Sequence, residues 1–130
     1  MIVKITKIKP LRPDERGLAY GFSLRESRSF IVINRKKGTV SGGHYHKGKS
    51  MSKSPEIFYI ANGKIKLIAK DIETGKSEEH VIDENNLLEV PANVYHEVHA
   101  LTDTIFIEFN VEPDKYEFRE DTVLGEQKRG

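Results

Sequence analysis

An all-β sandwich or barrel is the fold class this sequence predicts, and three observations carry that reading. Apolar residues recur in short alternating runs of strand length. Turn-forming clusters such as Asn62-Gly63 and the segments 73–76 and 83–86 separate those runs at short intervals. Hardly any stretch shows the helical period. A chain of 130 residues is one domain, large enough for a single core.

Taken in order, residues 2–8 alternate as a first strand, and PLRPDERG (10–17) is a loop broken by two prolines. Segments 18–24 and 30–35 read as short strands flanking the polar RESRS, and 39–46 follows as a further strand. KGKSMSKSP (47–55) has no periodicity and reads as a mobile, lysine-rich connection. Strands are expected at 56–60 and 64–72, joined as a hairpin at Asn62-Gly63. Further strands are expected at 78–82, 87–90, 95–101 and 105–111, with 102–104 as another hairpin loop. The domain is expected to span 1–112, leaving 113–130 as a charged, partly ordered tail.

Composition removes several function classes. There is no cysteine, so disulfide frameworks and thiolate metal sites are excluded. Lys and Arg number 21 against 20 for Asp and Glu, a balance that gives no electrostatic grip on nucleic acid. No apolar run is long enough to span a membrane, and no basic-then-apolar leader opens the chain. A cytoplasmic location is the expectation.

The chemistry concentrates between Gly38 and Gly63. In a strand His44 and His46 project to one face, with Tyr45 turned away. Glu56 opens the run EIFYI, where Phe58 and Ile60 share its parity. A carboxylate on an apolar face needs a cation to offset its desolvation. His96, in PANVYH, supplies a third imidazole. His44, His46, Glu56 and His96 therefore form a candidate ligand set for one divalent metal, compatible with iron, manganese, zinc, nickel or cobalt. His80 and His99 read as packed or surface residues. Phe106, Phe109, Val98 and Leu67 read as core, and Ile57 and Tyr59 as outer-face packing against another strand or subunit.

These residues resemble the two sequence motifs of the cupin superfamily. Gly38, His44-x-His46, Glu56 and Gly63 look like the first, and Asn85, Pro91-x-Asn93 and His96 like the second. The interval between His46 and Glu56 exceeds the family norm, Asn85 and Asn93 stand at motif glycines, and Ala100 replaces a final Asn. Asn is the residue that best tolerates the left-handed conformation after Gly. The resemblance implies a single antiparallel jelly-roll β-barrel of about six to eight strands with a metal near its mouth.

Asp14-Glu15-Arg16-Gly17 and His46-Lys47 are similar to segments of the deoxysugar nucleotide epimerases and ketoisomerases within the cupins. That similarity implies His44 as a proton-abstracting base and Arg16 in the substrate pocket or near a diphosphate. The ketoisomerases carry Arg-Gly where this chain has Gly42-Gly43, and they work without a metal. The leading expectation is a metal-dependent isomerase or epimerase acting on a sugar or keto-acid-like small molecule. An iron(II) dioxygenase and a non-catalytic small-molecule or metal-binding module are the alternatives. Lys47, Lys49 and Lys53 make either a solvated loop or a lid for an anionic substrate. Pairing through the edge of segment 2–8 implies a homodimer.

Overall fold

The computed structural model describes residues 1–111 and 121–124. Ten strands occur among them: β1 (Lys4–Lys7), β2 (Ser29–Arg35), β3 (Val40–His46), β4 (Glu56–Asn62), β5 (Lys64–Asp71), β6 (Ser77–Asp83), β7 (Asn86–Val90), β8 (Val94–Ala100), β9 (Thr104–Asn110) and β10 (Thr122–Leu124). A single turn of 3-10 helix, Met51–Lys53, precedes β4. The strands form two five-stranded antiparallel sheets, ordered β1-β7-β4-β9-β2 and β10-β3-β8-β5-β6. The expected antiparallel jelly roll is present. It is built as two facing sheets whose edges are not joined into a closed barrel.

Alternation explains the two cores. Phe58 and Ile60 on β4, Leu88 and Val90 on β7, and Phe106 on β9 point inward. They meet Ile65, Leu67 and Ala69 of β5, Ile82 of β6, and Val94 and Val98 of β8 from the other sheet. Removing these apolar side chains from water is the main term holding the sheets together. On the outer face of the first sheet, Ile57, Leu87 and Phe109 form a second cluster with Ile8. Phe109 thus belongs to the outer packing, whereas Phe106, Val98 and Leu67 lie inside.

Segment 18–24 corrects the sequence reading. It contains only an isolated bridge between Tyr20 and Pro10 and no ladder. Its alternating Tyr20, Phe22 and Leu24 nonetheless lie across the outer cluster, where Phe22 meets Tyr59 at a ring distance of 4.8 Å. The period was that of extended chain, and packing alone satisfies it. The cover for Ile57 and Tyr59 therefore comes from this same chain.

The turns carry a second correction. β5 and β6 do form a hairpin about 73–76, with Asp71 accepting from the turn backbone. The pairs β4–β5 and β8–β9 do not, because each joins strands of opposite sheets. Gly63 and residues 102–103 are corners between the sheets. A turn signal marks a reversal of direction and is silent about which sheet receives the chain. Asn85 and Asn93 adopt φ of 64° and 60°, as expected for residues at motif glycines. Of the tail, Thr122–Leu124 forms a strand beside β3, which the sequence reading did not assign. The expectations for 113–120 and 125–130 lie outside the described residues.

At Gly63 φ is +91°, and a Cβ would collide with the Asp103 carbonyl and the Thr102 hydroxyl. At Gly75 φ is +76° and nothing lies within contact distance. Gly75→Ala is expected to cost about 1 kcal/mol from backbone strain alone. Gly63→Ala should cost more than about 3 kcal/mol, since a backbone corner must also move. Urea denaturation of the two variants gives the comparison, and equal losses would show that the corner yields freely.

Candidate functional site

The site lies where the ends of β3, β4, β8 and β9 face one another. A bulge in β3 makes it possible. Val40, Ser41 and Gly42 pair with His99, Val98 and Glu97, then the register slips so that His44 pairs with His96. Gly42 and Gly43 have φ of 84° and 77°, and a Cβ on Gly42 would press on the His96 carbonyl oxygen at 2.8 Å. Gly43 is the additional residue, so Ser41 and His44 reach the same face despite their odd separation.

All four predicted ligands converge. One donor atom from each of His44, His46, Glu56 and His96 lies within 4.8 Å of the others. Glu56 is 3% exposed. Its Oε1 stands 3.3 Å from His46 Nε2 and 3.1 Å from His96 Nε2. His96 Nδ1 lies 3.0 Å from the Val94 carbonyl oxygen. A carbonyl only accepts, so Nδ1 carries the proton and Nε2 is the atom turned toward Glu56. His46 Nδ1 meets the Thr122 hydroxyl at 3.0 Å, which ties β10 to the cluster.

Burial alone would raise the Glu56 carboxyl, but the imidazoles of His46 and His96 and the Lys53 ammonium outweigh it and hold it well below the usual range. Burial likewise opposes the charged form of His96, and the Glu56 carboxylate reverses that, raising the imidazole. His44 goes the other way: burial and the neighbouring imidazoles lower it to about 4, so it is uncharged at neutral pH. The donor set fits a divalent cation. Three imidazoles and a carboxylate are borderline-soft N and O ligands, and Glu56 Oε1 is buried without a well-aligned hydrogen bond.

His44, Glu56 and His96 of the cluster form one wall of a cavity of about 160 Å³. Phe58, Phe106, Val98 and Ile33 give it apolar sides, while Arg35, Ser41 and Glu108 add polar groups. The sequence reading missed these three. Ser41 was hidden by the bulge. Glu108 could have been found from parity, because it faces Phe58 across the β4–β9 ladder. Arg35 sits on edge strand β2, and nothing in its sequence neighbourhood pointed to the cavity.

Arg16 is not brought to the cluster. It is 87% exposed in the 14–17 turn, where its guanidinium binds the Asp14 carboxylate at 2.6 Å. Nor is segment 47–55 a loose connection. The backbone amides of Lys47 and Lys49 donate to the Asp121 carbonyl and carboxylate, both at 2.7 Å. Ser52 exchanges hydrogen bonds with the Val111 backbone, and Arg25 donates to the carbonyls of Ser52 and Pro55. Lys47 and Lys49 are exposed, but Lys53 turns inward, 3.3 Å from Glu56 Oε2 and 3.1 Å from Glu108 Oε1. Its charge is engaged by carboxylates and is not presented to an incoming anion. His80 and His99 stay outside the cluster, each beside a glutamate two residues before it.

The fold is that of the cupin jelly roll. It is similar to the dTDP-4-dehydrorhamnose 3,5-epimerase of Sulfolobus tokodaii, with 22% identity over 95% of this chain and 77% of that one, at a TM-score of 0.74. It is also similar to QdtA, a sugar 3,4-ketoisomerase of Thermoanaerobacterium thermosaccharolyticum solved with TDP, with 17% identity over 96% and 89%, at 0.73. RmlC of Legionella pneumophila, solved with dTDP-4-keto-L-rhamnose, matches at 16% identity over 94% and 71%, at 0.70. No family model and no curated protein sequence matches the chain.

Asp121 is 1% exposed and fastens the loop that carries Lys53. Asp121→Ala should lower stability by about 1 kcal/mol, the net worth of the hydrogen bond lost from the Lys49 amide. Trypsin cleavage after Lys47 and Lys49 should quicken in that variant. Unchanged cleavage kinetics would show that the loop is held by its other anchors.

Proposed function

We propose that this protein is an isomerase or epimerase acting on a small keto-sugar-like substrate, with one divalent metal held by His44, His46, Glu56 and His96. The observation that carries this reading is the convergence of those four donor atoms, three of whose residues, His44, Glu56 and His96, line a partly apolar cavity. The substrate class is taken from the neighbours of the same fold, which are named as deoxysugar epimerases and ketoisomerases. The bound ion would supply Lewis-acid polarisation of a substrate carbonyl.

The chain's own residues do the remainder. Phe58, Phe106 and Val98 line the cavity and keep water from the reacting carbon. His44 borders that space and is the least buried of the four ligand-set residues. An uncharged imidazole there is placed to take a proton from the carbon beside the carbonyl and return it. Arg35 is the cation on the cavity wall, suited to a phosphate- or carboxylate-bearing part of the substrate. Ligation and proton transfer compete for His44, and its single variant separates them. Retained metal with lost activity assigns it the proton; loss of both assigns it the ligand role.

The test uses protein purified without added metal. His44→Ala combined with His46→Ala should abolish stoichiometric metal, whereas His80→Ala should leave it intact, as read by elemental analysis. The parent should also wash deuterium from D₂O into the carbon beside the carbonyl of a nucleotide-linked 4-keto sugar, detected by mass spectrometry. Equal metal content in parent and double variant would dispose of the metal site. No deuterium uptake would dispose of the isomerase.

We further propose a homodimer. β1 ends its sheet, pairing with β7 on one side only, and so offers an edge to a second copy. Sedimentation at micromolar concentration should give two chains per particle, and one chain would refute it.

A further inference from the structure

The unusual part of this site is Lys53. It comes from the 3-10 turn inside the long interval between His46 and Glu56, and its side chain is 12% exposed. Its ammonium bridges two buried carboxylates on neighbouring strands, Glu56 Oε2 at 3.3 Å and Glu108 Oε1 at 3.1 Å. Glu108 Oε2 also accepts from the Asn110 amide at 3.3 Å. The two oxygens of Glu56 are thereby divided, Oε2 to Lys53 and Oε1 to the imidazoles of His46 and His96.

We propose that Lys53 is a positioning residue and resident counter-ion for this site. It holds Glu56 so that a single oxygen faces the three imidazoles, and it competes electrostatically with the divalent cation. The inference rests on the metal reading above and concerns this chain's own residues toward that ion.

With both carboxylates ionised, the neighbourhood of Glu56 carries a formal charge of −1 beside the imidazoles, and loss of Lys53 removes the one positive charge in that count. Charges in direct contact in a partly buried setting interact far more strongly than they do in bulk water. A lysine in contact with Glu56 therefore weakens attraction for a second cation while stabilising the protein that lacks one. The same contact restrains rotation of the carboxylate, which could otherwise present both oxygens. The interval carrying Lys53 is anchored at Ser52, by Val111 and Arg25, and at Lys47 and Lys49, by Asp121. The ammonium is thus delivered to a fixed point.

The experiment measures zinc affinity by chelator competition, thermal stability with and without zinc, and zinc X-ray absorption. Three proteins are compared: the parent, Lys53→Met, and Lys53→Met combined with Glu108→Gln. In chelator, Lys53→Met should melt well below the parent, and Glu108→Gln should restore part of the loss by removing an unpaired carboxylate. Lys53→Met should bind zinc at least tenfold more tightly than the parent and gain more in melting temperature on zinc addition. Its absorption spectrum should show an additional oxygen neighbour. A merely space-filling lysine would leave affinity and spectrum as in the parent, and that result overturns the proposal. If Lys53→Met does not fold in chelator, the double variant carries the affinity comparison, with at least parental affinity expected and weaker binding overturning the proposal. If the parent binds no zinc or other divalent ion, the metal reading fails by itself. Lys53 is then judged on the chelator data, where no rescue by Glu108→Gln would end its counter-ion role as well.

Discussion

The structure around the site depends on one constraint, the burial of the Glu56 carboxylate. Parity along β4 sets Glu56 on the same face as Phe58 and Ile60, inside the sandwich. An isolated carboxylate there would cost far more than a domain of this size can spare. Each element at that end of the fold brings something that makes the burial tolerable. β3 brings His46, β8 brings His96, and the 3-10 turn brings Lys53. The β3 bulge and the carbonyl and carboxylate of Asp121, which accept from the 47–55 segment, hold two of these in position. Removing any one of these three partners leaves the buried carboxylate less compensated, so the parts are coupled and not additive.

Much of this was legible in the sequence because it follows from period two. His44-x-His46, the inward face of β4 and the different facing of His96 and His99 all come from alternation alone. Alternation fails where the chain departs from it. Gly42-Gly43 inserts a residue, so Ser41 reaches the cavity against its apparent parity. It also fails to say what partner a strand has. Segment 18–24 alternates because it packs on the outer cluster, and Gly63 turns the chain into the opposite sheet instead of back along its own. The inward turn of Lys53 and the role of Thr122 were missed for a different reason. Lys53 lies in a polar segment without periodicity and reaches Glu108 across 55 residues of sequence, and Thr122 lies in a charged tail, 76 residues from His46.

The 47–55 segment shows how a surface-like composition can conceal an interior function. Its lysines and serines read as a solvated connection, and for Lys47 and Lys49 that holds. Yet Ser50 and Ser52 are almost fully buried, and both hydroxyls are hydrogen-bonded within or below the turn. Small hydroxyl side chains permit a polar segment to pack tightly because they satisfy backbone groups without demanding room. The additional length relative to the family pattern therefore forms an ordered plug at the end of the sandwich beside Glu56.

That plug is also where this chain's chemistry can diverge from that of proteins with the same fold. A jelly roll fixes where strand ends meet and so places three imidazoles and a carboxylate together, but it does not set the charge around them. Here the charge is set by residues outside the two motifs: Lys53 and Glu108 beside the ligand set, and Arg35 across the cavity. The Lys53 ammonium is taken up by two carboxylates, which leaves Arg35 as the cation that faces the cavity. The fold supplies the meeting point. The inserted turn and the cavity wall set the charge around it.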